Sequence, residues 1–123
     1  MITGFEDFTA ELTVEEKGKL LPLVVEILKT RVGQRWVISN AAICRLLKER
    51  NVPKVSEPRI RKVIHYIREN GLVPHLIASS KGYYIAETIE AVEDYIESLR
   101  QRCRSIDKIR DALAEQITGR LFI

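Results

Sequence analysis

Apolar residues recur along this chain in blocks whose spacing changes from helical to alternating and back to helical. Leu20, Leu21, Val24, Val25, Ile27 and Leu28 form a broad apolar stripe, and Thr13 with Glu16 three residues on reads as the capping box that opens it. Pro22 falls inside this stripe and is expected to kink the helix or split it in two. Trp36, Val37 and Ile38 are β-prone and read as one short strand. Ser39 or Asn40 then caps a helix with Ile43, Cys44, Leu46 and Leu47 inside and Arg45, Lys48 and Arg50 outside. Asn51-Val52-Pro53 breaks it. Ser56 caps the next helix, Glu57 and Pro58 suit its first turn, and Ile60, Val63, Ile64 and Ile67 make its apolar face. Gly71 supplies its stop. Leu76–Ser79 and Tyr83–Ala86 are β-prone runs joined by Ser80-Lys81-Gly82, a hairpin signal. Residues 1–12, with Phe5 and Phe8 among acids, read as an irregular N-terminal arm.

Thr88 caps a last, long helix, and from there the pattern narrows. Ile89, Val92, Ile96, Leu99, Cys103, Ile106, Leu113 and Ile117 follow alternating steps of three and four, with Arg110 the one break. This is a heptad seam over about four heptads, roughly 43 Å of helix. Thr118-Gly119 is expected to stop it, leaving a tail over 119–123. So narrow a seam predicts a homodimer whose interface is Val92, Ile96, Leu99, Cys103, Ile106 and Leu113; the alternative is a helix folded back on its own domain.

Charge sharpens the picture. The net charge is +3, yet residues 29–86 hold 12 basic and 3 acidic groups, while residues 1–28 and 87–123 are net acidic. The positive charge lies in the block of the two short helices and the hairpin, which points to a polyanionic partner. At about 100° per residue, Lys62, His65 and Glu69 of the second short helix point away from its apolar face, with Arg59 and Arg61 on its flanks. An amphipathic helix with a basic outer face suits a major groove. Lys81 stands at the hairpin tip among small residues, which permits close approach to a phosphate backbone.

The order helix, strand, helix, helix, hairpin over residues 13–87 resembles a winged helix-turn-helix domain, about three fifths of the chain. The likeness rests on RIRKVIHYIRENGL as recognition helix and HLIASSKGYYIAE as wing, and is similar to small winged-helix proteins of bacteriophages and mobile elements. The fold class expected is therefore mostly α with a small β wing, a winged helix-turn-helix plus a long C-terminal helix over 88–118. The resemblance implies sequence-specific binding of double-stranded DNA, by a transcriptional regulator or a phage-type accessory factor. By position the recognition-helix contacts fall on Ser56, Arg59, Arg61, Lys62 and His65, the wing contacts on Lys81 and Gly82, and phosphate contacts of the preceding helix on Arg45 and Lys48. Some winged-helix domains bind protein instead, so a protein–protein module without DNA contact is the alternative.

Other classes find little support. His65 and His75 are the only histidines and neither has a neighbouring catalytic arrangement. No phosphate-loop motif occurs, and Cys44 and Cys103 fit no metal-ligand spacing, so neither catalysis, a metal nor a cofactor is expected. Both cysteines read as small buried hydrophobes in a reducing cytoplasm. No apolar run approaches the roughly 18 residues that span a membrane.

Overall fold

Among the described residues four helices carry most of the length, with one two-stranded antiparallel sheet between the third and fourth. The structure is a computed structural model and describes residues 11–120. These divide into two compact units, one ending at Glu87 and the other beginning at Thr88. Residues 1–10 of the expected arm, with Phe5 and Phe8, and the apolar end Leu121-Phe122-Ile123 lie outside the described residues; Leu12, at the end of that arm, is buried in the core.

The first helix opens on the predicted capping box. The Glu16 N–H donates to Thr13 Oγ1 (3.1 Å), and the Thr13 N–H donates to Glu16 Oε1 (2.8 Å). Glu16–Leu20 is a π-helical turn, with the Leu21 N–H reaching back five residues to the Glu16 carbonyl. It runs directly into α1 (Leu21–Lys29), which has Pro22 in its first turn. The helix thus neither splits nor breaks at Pro22. Proline has no N–H to give to residue 18 and its ring crowds that carbonyl; the wider turn lets the chain pass without an ideal α-helical ladder there.

The helices α2 (Asn40–Glu49) and α3 (Glu57–Asn70) begin and end alike. Ser39 Oγ accepts from the Ala42 N–H at 3.1 Å, and Ser56 Oγ from the Arg59 N–H at 3.4 Å. Each helix closes with a residue in the left-handed region, Asn51 (φ 64°) and Gly71 (φ 63°). Beyond them the Val52 N–H bonds the Leu47 carbonyl and the Leu72 N–H bonds the Ile67 carbonyl, satisfying acceptors that a helix end leaves open. Val24, Ile27 and Leu28 of α1, Ile43 and Leu47 of α2, and Ile60, Val63, Ile64 and Ile67 of α3 meet in one core. The predicted apolar faces are the ones turned to this core, with Leu21, Val25, Cys44 and Leu46 half-buried at its edge.

The strands β1 (Leu76–Ser79) and β2 (Gly82–Ile85) pair from Leu76↔Ile85 to Ser79↔Gly82, so the connection is the two residues Ser80-Lys81. The expected strand at Trp36–Ile38 is reduced to one bridge. Gln34–Trp36 instead forms a 3₁₀ turn, which leaves Trp36 52% exposed under the Arg35 guanidinium, 5.4 Å from the ring centre. Ile38 then exchanges two 2.9 Å backbone hydrogen bonds with Tyr83. Further along β2, the Ile85 N–H donates to the Arg31 carbonyl (2.7 Å) and the Gly33 N–H to the Ile85 carbonyl (2.8 Å). Both edges of β2 are therefore paired, which removes an edge open to other strands.

The second unit is α4 (Ile89–Arg120), 32 residues capped by Thr88 Oγ1, which accepts from the Ala91 N–H at 3.1 Å. Gly119 does not stop it as expected. A glycine ends a helix by turning left-handed; within helical dihedrals it only costs about 1 kcal/mol relative to alanine. No helix among the described residues is long and apolar enough to cross a membrane.

Candidate nucleic-acid interface

The basic residues of α3 divide into two sets with different partners. Arg59 and Lys62 turn to Glu16: Arg59 Nε lies 3.1 Å from Oε2 and Lys62 Nζ 2.9 Å from Oε1. Glu16 is 2% exposed, the one buried charged residue among those described, and its Oε1 also holds the capping-box bond from Thr13. Burial alone would raise its carboxyl pKa. The Thr13 N–H, Lys62 and Arg59 outweigh that and bring it down to about 2. Both cations are thus neutralised within the fold, and the Lys62 side chain, expected to face outward, is only 16% exposed. Beside them Lys17 Nζ sits 5.7 Å above the Tyr66 ring. His65 Nε2 lies 2.6 Å from Glu69 Oε1, one turn along the helix.

Arg61 belongs to the other flank. It is exposed, and together with Arg68 it lies close enough to Tyr83 to favour the phenolate, though burial dominates and pushes the phenol above its usual range. The Tyr83 hydroxyl donates to Asn40 Oδ1 at 2.9 Å, tying β2 to the first turn of α2. Tyr83 is a buried core residue, and Tyr84 is half-buried.

Two clefts flank that tie. One, of about 380 Å³, is lined by Arg31, Ser39, Arg45, Glu49 and Lys81 among others. The second, about 210 Å³, is lined by Asn40, Glu57, Ser80 and Tyr83, and shares Ser39 and Lys81 with the first. Lys81 therefore stands on the rim between them. Arg31 leaves α1 with its Nε buried and without a hydrogen-bond partner, and none of Arg31, Arg45 and Lys81 is in an ion pair among the described residues. Three cations from three separate parts of the chain thus meet one carboxylate, Glu49, around one opening that runs along one face of α2 from Ser39 to Glu49.

No protein-family model, curated protein or solved structure matches the chain.

Of the residues singled out in the sequence, Arg45 and Lys81 come together in the cleft, with Arg61 on the neighbouring flank of α3. Ser56 is spent as a cap, and Lys48 is exposed on α2 but does not line the cleft. Gly82 has φ +131° and its Cα faces the Ile38 carbonyl, so it acts through the backbone. Arg31 was not legible as a site residue. It closes a helical stripe, and only the return of β2 to its carbonyl brings it beside Lys81. On α4, Ile96, Cys103, Ile106 and Leu113 are exposed, while Val92 and Leu99 are half-buried. The expectation that both cysteines are buried holds for neither: Cys44 is half-buried, with burial and Glu57 pushing its thiol pKa up, and Cys103 is exposed.

Proposed function

We propose that residues 13–87 form a winged helix-turn-helix domain that binds duplex DNA, with α3 presented to the major groove and the Ser80-Lys81 turn to the backbone. The observation that carries this reading is the convergence of Arg31, Arg45 and Lys81, without ion-pair partners among the described residues, on one cleft along α2. Its opening suits a phosphate, which two guanidiniums can grip in bidentate fashion and an ammonium can neutralise. Base reading then rests mainly on Arg61, since Arg59 and Lys62 are committed to Glu16. The protein would act as a transcriptional regulator or a DNA-binding accessory factor.

Fluorescence anisotropy with a labelled mixed-sequence duplex, over a salt series, tests this. Wild type should bind with an affinity that falls steeply with salt, by about 0.9 in log slope for each phosphate neutralised. Replacing Arg31, Arg45 and Lys81 with alanine should weaken binding to all sequences and make the slope shallower by roughly 2–3. Arg61→Ala should cost about 1–3 kcal/mol on a selected site and relax preference there. Absence of binding at low salt would replace this reading with that of a protein–protein module.

A further inference from the structure

From Gln101 to Gly119 every residue of α4 is exposed. Most helical stability comes from packing an apolar face, not from propensity, so so long an uncovered helix bearing an apolar seam calls for a partner. Ile106 is 64%, Leu113 54% and Ile117 65% exposed. We propose that the partner is a second copy of this chain, and that the two α4 helices pair parallel and in register, setting Cys103 against Cys103 of the second copy. This pairing does not rest on the DNA-binding reading.

The heptad phase carries the orientation. Assigning Ile89 to position a places Ile96, Cys103, Arg110 and Ile117 at a and Val92, Leu99, Ile106 and Leu113 at d. Isoleucine at most a positions, with leucine recurring at d, favours two parallel strands. Charge agrees. Arg102 falls at g and Asp107 at the e position five residues on, so in a parallel, in-register pair each Arg102 faces Asp107 of the other copy. Arg102 has no ion pair within its own chain among the described residues, so it is available for that contact. Arg110 is the polar a residue. Its guanidinium is held by its own Asp111 (3.1 Å) and shares Asp107 (3.2 Å) with the Arg102 of the second copy, which offsets part of the repulsion of two arginines in one layer. A single polar a position costs stability and selects register and strand number.

Parallel and antiparallel pairs differ in which residues meet. In a parallel, in-register pair position a meets a, so the two Cys103 thiols share a layer; in an antiparallel pair a meets d and they do not. The test uses the full chain without DNA. Diamide oxidises two thiols to a disulfide and is itself reduced to the hydrazine by the two electrons and two protons released. With Cys44→Ser, diamide should convert most of the chain to a dimer on a non-reducing gel, and Cys103→Ser should abolish that product. Sedimentation equilibrium should give a dimer for the unoxidised protein. Ile106→Glu/Leu113→Glu should give a monomer that cross-links at least tenfold less, with the circular-dichroism melting transition of the first unit retained. A monomer at all concentrations, or a dimer that does not cross-link through Cys103, would overturn the proposal.

Discussion

Replacing Glu16 with alanine should lower the unfolding free energy by about 3 kcal/mol, read by urea denaturation at pH 7, with Tm falling on the order of 10 °C. The substitution leaves Lys62, 16% exposed, and Arg59 without their carboxylate, and removes the acceptor of the Thr13 N–H. Breaking one partner out of a buried pair is costly because the surviving charge stays desolvated. Glu16→Gln should cost less, since glutamine keeps the capping-box bond while losing the charge. The pH dependence separates the two contributions. The folded carboxyl titrates at about 2, below its ordinary 4.5, so between those values the unfolded chain binds more protons. The stabilisation is therefore complete above about pH 4.5 and is lost as pH falls toward 2. Wild type should lose stability over that window more steeply than Glu16→Gln. Equal pH dependence in the two proteins would mean that the carboxylate is not the charge-stabilised group described.

Replacing Gly82 with alanine should cost about 3–5 kcal/mol, and the loss should have two sources. Its φ of +131° lies where an L residue is strained, by roughly 1–3 kcal/mol. A Cβ would also collide with the carbonyl oxygen of Ile38 and stand 2.9 Å from the Cα of Ser39. Both are backbone atoms, unable to rotate aside, so relief would mean giving up the paired hydrogen bonds between Ile38 and Tyr83. Gly71→Ala is the control. Gly71 also has a positive φ, but a Cβ there meets nothing within 4 Å, so its cost should be conformational strain alone, about 1 kcal/mol. Urea midpoints for the two variants read the difference. If Gly82→Ala proved no worse than Gly71→Ala, the close approach of β2 to Ile38 would not be a stabilising element. In the DNA-binding reading, Gly82→Ala should also weaken duplex binding, because it moves Lys81 relative to Ser39 and Arg45.

What the amino-acid sequence settled by itself is local. The caps at Thr13, Ser39, Ser56 and Thr88, the stop at Gly71 and the apolar faces of α2 and α3 rest on residues three or four apart, and such contacts form wherever that helix forms. The hairpin was legible for the same reason, to within one residue of its turn. Tertiary structure decided everything that joins distant positions. Glu16 meets Arg59 and Lys62 across 43 and 46 residues, and periodicity carries no information about which charge faces which across such a gap. That pairing redistributed the basic face of α3: the helical wheel set Lys62 outward, and the buried carboxylate drew it in. The return of β2 to Arg31 and Ile38 likewise decided that a cation at the end of α1 lines the same cleft as Lys81. A helical repeat fixes a direction about its own axis only; where that direction points is set by what packs against it.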